Sequence, residues 1–186
     1  MTRSQVLGLF LLCGLGLQAC SLRVPQAEAV LSQFRSFTVS HKQAHSNQLW
    51  LASFNQQGAM LKPYIVDGYT VFANESGDAV AFDGWVVRSV LGFGRNDPIQ
   101  VIDTNSKRSS IYQDDRFESE CDAWDREEMS VGFRWRQICG FKGHQTIINV
   151  DEDGNITAIQ QDLGTSLGVL QLSVAGKHSV GSLRVN

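Results

Sequence analysis

Short apolar runs dominate the chain from Leu49 to Val174. They are rich in Val, Ile, Phe, Tyr and Trp, and Gly, Asn or Asp interrupts them about every 10 residues. This composition predicts β-strands, and the brief connections between the runs predict antiparallel pairing. The predicted strands are Leu49–Phe54, Tyr64–Ala73, Ala79–Leu91, Ile99–Asp103, Ser109–Gln113, Phe117–Trp124, Val131–Phe141, Gln145–Val150, Ile156–Gln161 and Leu167–Val174.

Residues 131–141 show the clearest alternation of apolar and polar positions. Arg134 and Arg136 fall on one face, so this strand should be half-buried. The run before it places carboxylates on one face, and we expect the two runs to pair with acidic against basic side chains. The acidic set is Glu118, Glu120 and Asp122, and the inward apolar set is Val131, Phe133, Trp135, Cys139 and Phe141.

Three Gly-containing segments and one helical segment complete the pattern. Asp83-Gly84, Gly92-Phe93-Gly94 and Asp153-Gly154-Asn155 predict tight turns, because Gly, Asn and Asp tolerate positive φ. Near the N-terminus, Pro25 opens an amphipathic stripe that predicts a helix packed on the body of the domain. Its apolar residues are Ala27, Val30, Leu31, Phe34 and Phe37. The predicted fold class is therefore mainly β: a twisted antiparallel sheet, open half-barrel or sandwich, with one N-terminal amphipathic helix.

The first 19 residues have the plan of a lipoprotein signal peptide. Arg3 precedes an apolar run from Val6 to Leu17, which is too short to span a bilayer as a helix. Leu17-Gln18-Ala19 then leads directly to Cys20, whose thiol is the expected site of lipidation. We expect residues 1–19 to be removed and the protein to be anchored to the membrane through Cys20. Ser21 favours the periplasmic face of the outer membrane over the inner membrane.

The mature chain suits one domain with a modest negative charge. Removing 19 of the 186 residues leaves 167, and residues 20–186 form a single lipid-anchored β domain in this interpretation. Without Arg3, 15 Lys and Arg face 19 Asp and Glu, a net charge of −4. A basic stripe that could neutralise phosphates is lacking, so nucleic-acid binding is disfavoured.

Two cysteines remain for the mature domain. Cys121 and Cys139 predict a disulfide in an oxidising periplasm, between adjacent strands around the 125–130 connection. Such a loop closure stabilises by about 3 kcal/mol in the chain-entropy model. Two separately buried free cysteines are the alternative, because a sequence does not place Cα atoms.

Candidate chemistry is sparse, and we predict that the protein is not an enzyme. His41 and His45 form the one local histidine pair but lie in a polar linker, so no metal site or cofactor is expected. The carboxylates of 151–155 suit a hairpin turn better than a calcium loop. Trp85 and Trp124 lie next to charged or glycine positions, outside the clearest inward faces, and are the candidate ligand-binding residues.

The order of these features resembles the YjbF/GfcB family of outer-membrane lipoproteins, which are encoded with capsule and exopolysaccharide secretion systems. The resemblance lies in the Leu17–Cys20 motif and the helix with Phe34-Arg35, and in Asp78–Val90, Cys121–Trp124, Ile148–Ile156, Gln160–Gly164 and Leu170–Val174. It implies a periplasmic antiparallel β domain that assists polysaccharide export without catalysing a reaction. It supplies no catalytic residue.

Three functions follow as hypotheses of different classes. The leading one is a noncatalytic accessory lipoprotein that binds polysaccharide or secretion-system proteins. A lipid or lipoprotein carrier would instead need an apolar cavity inside an open half-barrel. An envelope hydrolase would need two carboxylates in a cleft, drawn from Glu118, Glu120 and Asp122.

Overall fold

The computed structural model describes residues 48–104 and 106–176, and their regular structure is entirely β-strand. The predicted N-terminal helix, Cys20, His41, His45 and the tail after Gly176 lie outside the described residues. The strands are β1 (Trp50–Phe54), β2 (Gln57–Val66), β3 (Tyr69–Ala73), β4 (Ala79–Phe82), β5 (Val87–Gly92), β6 (Arg95–Thr104), β7 (Lys107–Tyr112), β8 (Asp115–Glu120), β9 (Asp125–Glu128), β10 (Phe133–Cys139), β11 (His144–Val150), β12 (Ile156–Asp162) and β13 (Val169–Val174).

All thirteen strands belong to one antiparallel sheet. Its order is β8-β7-β6-β5-β4-β3-β2-β1-β13-β12-β11-β10-β9, so β1 lies in the middle of the sheet and pairs with both β2 and β13. The chain runs outward from β1 to the β8 edge and returns from the β9 edge to β13. The result is an open half-barrel, and the predicted mainly β antiparallel fold is confirmed. The described residues contain no helix of a length and hydrophobicity suited to spanning a bilayer.

The main core lies on the inner side of the half-barrel. Alternate residues of neighbouring strands meet there, as in the row formed by Phe72, Val80, Val90 and Ile99. Strands from the other half of the sheet supply Ile148, Ile159, Leu170 and Leu172, all at most 1% exposed. Apolar burial of this kind contributes roughly 25 cal/mol per Å². The two halves of the sheet therefore hold each other through a continuous interior.

Two predicted strands are each a hairpin in the structure. The run Tyr64–Ala73 turns at Asp67-Gly68, where both residues have positive φ (49° and 84°). That pair of angles makes a two-residue hairpin turn, for which Asp-Gly is a favoured sequence. The run Ala79–Leu91 divides at the predicted Asp83-Gly84 turn. Apolar residues flank both turns closely, so each hairpin looks like one long strand in the sequence.

The predicted pairing of the run 117–124 with the run 131–141 is wrong for residues 117–120. Strand β8 pairs with β7, and it is β9, a segment of four exposed charged residues, that pairs with β10. Glu127 and Asp125 therefore face Arg134 and Arg136, at 3.7 and 3.6 Å. The acidic-against-basic arrangement exists, but with carboxylates from β9. Val131 and Phe141, predicted to point inward, are exposed because β10 spans only Phe133–Cys139.

A buried arginine joins the two halves of the sheet inside the core. Arg108 on β7 is 5% exposed, and its Nε donates to Asp103 Oδ1 at 2.8 Å. Its two terminal nitrogens donate to Thr146 Oγ1 on β11 and Gln137 Oε1 on β10, at 2.5 and 2.6 Å. Burial lowers the pKa of the guanidinium, and the charge of Asp103 opposes that shift. Each of the three guanidinium nitrogens of Arg108 thus has a hydrogen-bond partner. A buried charge requires such partners.

Candidate functional site

Three tryptophans from separate parts of the chain form one cluster at the surface. The ring centres of Trp85 and Trp124 are 5.1 Å apart, and those of Trp85 and Trp135 are 5.4 Å apart. Trp85 is 45% exposed, whereas Trp124 and Trp135 are half-buried against the main core. We call these three residues the tryptophan surface. The two predicted candidates, Trp85 and Trp124, are therefore brought together by the fold.

A tight turn sets the position of Trp85. It lies between β4 and β5, where Asp83 Oδ1 accepts hydrogen bonds from the backbone N–H groups of Trp85 and Val86 at 2.8 and 2.7 Å. Gly84 has a φ of 104°, which a residue with a Cβ rarely adopts. Asp83 Oδ2 also pairs with Arg88 Nε at 2.5 Å. The turn that presents Trp85 is thus fixed by one carboxylate with three donors.

Trp124 and Trp135 are held by the opposite side of the half-barrel. Trp124 ends the connection between β8 and β9, and Trp135 is on the inward-facing row of β10 beside Phe133, at 6.2 Å between ring centres. The guanidinium of Arg126 lies 4.2 Å from the centre of the Phe133 ring. A cation at this distance over an aromatic face is attracted by the ring quadrupole. Strand β10 therefore extends the aromatic surface toward the charged edge strand.

Charged side chains surround the tryptophan surface on the β9 side. Asp125 follows Trp124 directly, and all four residues of β9 are exposed. Arg126 pairs with Glu128 at 3.1 Å, and Asp125 pairs with Arg136. Aromatic faces with a few polar groups at their rim are the usual chemistry of sites for small polar ligands with apolar faces. Sugar rings have that character, since their axial C–H groups form an apolar face bordered by hydroxyl groups.

The predicted disulfide is present, but it connects the two ends of the sheet, because β8 and β10 are not adjacent strands. The sulfurs of Cys121 and Cys139 are bonded at 2.07 Å, and the two residues form an isolated antiparallel bridge. Backbone hydrogen bonds flank the bridge, from Asp122 N–H to Ile138 O at 2.9 Å and from Gly140 N–H to Glu120 O at 2.8 Å. The chain leaves β8 at Cys121 and continues beside β10, so the bond fixes the approach to Trp124.

A cleft of about 780 Å³, lined by both apolar and charged side chains, lies next to the disulfide. Its walls come from β8, from the turn after β10 and from the β12–β13 connection, and they include the exposed ring of Phe141. His144 Nδ1 lies 2.8 Å from Asp162 Oδ2 near this cleft. Its charged lining residues are Arg108, Arg116, Glu118, Glu120, Asp122 and Lys142. The lining mixes both signs of charge and does not select a ligand of one sign.

The carboxylates singled out for a hydrolase do share this cleft. Glu118 accepts hydrogen bonds from Ser109 at 3.2 Å and from Arg116 at 2.9 Å. The hydrogen bond from Ser109 is the largest cause that lowers the pKa of the Glu118 carboxyl, and the charge of Arg116 lowers it further. A general acid needs the opposite shift, because it must hold its proton near neutral pH. The environment of Glu118 thus suits a permanent ion pair.

The acidic turn between β11 and β12 uses its carboxylate for structure. Asp151 Oδ1 accepts from the Asn155 backbone N–H at 2.8 Å, and the Gly154 N–H donates to the Asp151 carbonyl at 3.1 Å. The predicted hairpin turn is therefore confirmed. Within residues 48–104 and 106–176, no three His, Cys, Asp or Glu side chains converge as a metal site would require.

Trp135 is the member of the tryptophan surface that the sequence did not single out. Its place in the alternation of 131–141 assigns it to the core, and the structure does pack it there in part. Its second role arises because β10 is next to the edge strand, so the end of its inward row is open to Trp85. The Phe133-Arg134-Trp135 spacing is the sequence signal that could have identified Trp135 as a site residue. It places two aromatic rings side by side on one face.

Comparisons with known proteins do not assign a function, so the functional argument rests on the residues described above. The sequence matches no protein-family model and no curated protein. Among solved structures, the crystal structure of the hypothetical lipoprotein YmcC from Escherichia coli is similar, with a TM-score of 0.49 and 8% sequence identity. The similarity covers 77% of this chain and 94% of that chain. A likeness at this level does not assign a function.

Proposed function

We propose that this protein is a noncatalytic lipoprotein of the outer membrane that assists secretion of a surface polysaccharide by binding glycan. The observation that carries the proposal is the tryptophan surface, in which Trp85 is 45% exposed against two further indole rings. The glycan would lie across the indole faces, with its hydroxyl groups toward the charged rim of β9.

The geometry favours a ligand with alternating apolar and polar edges. The indole planes of Trp85 and Trp124 are inclined by 54°, and those of Trp85 and Trp135 by 71°, so they form a corner and not a flat stack. A corner of this kind contacts two faces of one pyranose unit or two successive units of a chain. Since Asp83 fixes the turn of Trp85, little conformational entropy is lost when a ligand binds.

The membrane part of the proposal comes from the N-terminal sequence. Leu17-Gln18-Ala19-Cys20 is the motif that directs lipidation, and several acyl chains hold a protein stably on a bilayer. Ser21 then favours the outer membrane. A glycan-binding domain anchored there is placed where secreted polysaccharide leaves the periplasm, and export-channel proteins are natural partners for it.

A carrier of lipids or lipoproteins is the rival, and the interior of the half-barrel weighs against it. A carrier needs an apolar cavity, whereas the inner side of the sheet is filled by packed side chains such as Phe54, Leu61 and Leu163. The cleft of about 780 Å³ beside the disulfide lies outside this interior, and it has charged side chains of both signs, such as Arg116 and Glu120, in its lining. The packed interior therefore disfavours an acyl chain inside the half-barrel.

The test is capture of ligands by the soluble mature domain, residues 21–186. The domain is applied to an array of neutral, uronate-containing and amino-sugar oligosaccharides, and it is also used to pull down components of the native envelope. Binding to a set of related glycans supports the proposal. Capture of acyl lipids or acylated proteins in place of glycans would contradict it and favour the carrier.

A matched variant makes the array result specific. Phe141→Ala removes an exposed aromatic ring that lies outside the tryptophan surface, so it should keep the array pattern of the unmodified domain. Asp83→Ala should weaken the pattern, because it removes the carboxylate that holds Trp85 in place. Loss of binding in Phe141→Ala with retention in Asp83→Ala would move the site to the cleft beside the disulfide.

A further inference from the structure

A second apolar cluster lies on the outer side of the sheet, away from the main core. It comprises Tyr64, Val66, Tyr69, Val71, Ala73, Ala79, Ala81 and Leu91, all on β2–β5. Successive residues of a strand point to opposite faces. Because Phe72, Val80 and Val90 point into the main core, Val71, Ala81 and Leu91 must point outward. We call this set the outer apolar face.

The outer apolar face is shielded from water, although it is on the outside of the half-barrel. Val71 is 0% exposed, Ala81 is 1% exposed and Ala79 is 3% exposed. On the same side of the sheet, Leu51 on β1 and Met60 in the first half of β2 are 48% and 53% exposed. The sheet's own side chains therefore do not suffice to bury this side. The residues that form the cluster all come from β2–β5, so within the described ranges the cover is not a further strand of the sheet.

The N-terminal segment has the right sequence for this cover. Its apolar stripe runs from Ala27 through Leu31 and Phe34 to Phe37, and from Pro25 to Phe37 it measures about 20 Å as a helix. The face spans four strands, a width of about 14 Å. The alanines at 73, 79 and 81 make a shallow surface into which large side chains of a helix can pack.

Chain connectivity also favours this segment. Residues 38–49 join it to β1, can extend about 40 Å, and enter the sheet directly beside β2. Residues 177–186, by comparison, include only Val180, Leu183 and Val185 as apolar residues. A stripe of four or five apolar side chains matches the extent of the cluster far better than these three.

We propose that the amphipathic segment from Pro25 to Phe37 docks its apolar stripe on the outer apolar face of β2–β5. Docking there has a consequence for function. The predicted lipid anchor at Cys20 lies a few residues before Pro25, so the outer side of β2–β5 is held toward the membrane. The tryptophan surface, built from the β4–β5 turn and the opposite end of the sheet, remains accessible. This inference stands independently of the glycan proposal.

Photo-crosslinking of the mature chain tests the docking directly. Benzoylphenylalanine replaces Phe34, a stripe residue, and in a matched control it replaces Ser32 on the opposite helical face. After irradiation of monomeric protein, position 34 should crosslink within the same molecule to peptides of β3 and β4. Position 32 should not. Crosslinks from position 34 to residues 177–186, to a second molecule, or at no higher yield than from position 32 would overturn the proposal.

Cysteine accessibility gives a second readout that needs no crosslink. Ala81→Cys should react slowly with a maleimide in the mature chain, and several-fold faster when Leu31 and Phe34 are both changed to Asp. Met60→Cys is the control, since its side chain is already exposed and its rate should stay the same. A rate at Ala81→Cys that does not respond to the two Asp substitutions would contradict docking of this segment.

Discussion

Gln161 and Val87 face each other across the interior of the half-barrel, 74 residues apart in the chain. The Gln161 carbonyl accepts from the Val87 N–H at 2.8 Å, and the Gln161 amide donates to the Val87 carbonyl at 3.2 Å. The side chain of Gln161 is 0% exposed. A single glutamine thus satisfies both backbone groups at the start of β5, and it ties that strand to β12 in the other half of the sheet.

Gln161→Leu should therefore be strongly destabilising. The substitution leaves two buried backbone groups without partners, each at a cost of about 1–3 kcal/mol. Urea denaturation should show a free energy of unfolding lower by about 2 kcal/mol or more. Gln160→Leu is the matched control, because Gln160 points outward and should change stability little. Equal stability of the two variants would show that the Gln161 bonds contribute nothing.

The Arg108–Asp103 pair predicts a second large effect. Asp103→Asn removes the countercharge of a buried guanidinium, and breaking a buried pair in this way costs about 3–5 kcal/mol. Asp97→Asn, at an exposed carboxylate that accepts from Gln113, should stay within about 0.5 kcal/mol of the parent. Thermal and urea unfolding of both variants measure the difference. A small effect at Asp103 would mean that Thr146 and Gln137 suffice to hold the arginine.

The disulfide should stabilise the domain without defining its fold. Cys121 and Cys139 are 18 residues apart, and opening such a loop lowers the unfolding free energy by about 3 kcal/mol in the chain-entropy model. Reductant should lower the melting temperature of the parent protein. The double variant Cys121→Ala, Cys139→Ala should melt at the reduced temperature with or without reductant. Two free thiols in the native protein by mass spectrometry would contradict the bond.

Lipidation at Cys20 is predicted from sequence alone and has a direct biochemical test. Cells that express the full precursor with an alkyne-labelled fatty acid should yield a labelled protein in the membrane fraction. Cys20→Ser should abolish the label and leave an uncleaved precursor, whereas Cys13→Ser should not, since Cys13 lies within the predicted signal. Label retained in Cys20→Ser would place the acyl chains elsewhere.

The sequence predicts the strands well where one face is apolar and poorly where it is not. Apolar runs predict β1 and β11, and alternation predicts β10, whereas β9 has four charged residues and no apolar signal, because this edge strand is exposed and buries none of them. The first half of β2, from Gln57, was missed for a related reason: its residues up to Met60 are exposed or half-exposed.

Two of the three members of the tryptophan surface are predictable from the sequence, but its geometry is not. Trp85 and Trp124 stood out because polar or glycine neighbours set them apart from the core pattern. Their contact depends on the sheet curving until the β4–β5 turn meets the β8–β9 connection, a pairing that local spacing does not encode. Likewise, Arg108 looks like an exposed strand charge, and only the opposing polar residues Gln137 and Thr146 make its burial possible.

Calorimetric titration with the strongest glycan from the array tests the central claim most directly. The soluble mature domain is compared with Trp85→Ala, Trp124→Ala and Phe141→Ala, after circular dichroism has confirmed that each variant is folded. Loss of one stacking ring should weaken binding by about 1–3 kcal/mol, roughly 5- to 150-fold. The account predicts that weakening in both tryptophan variants with unchanged affinity in Phe141→Ala. Unchanged affinity in both tryptophan variants would contradict it.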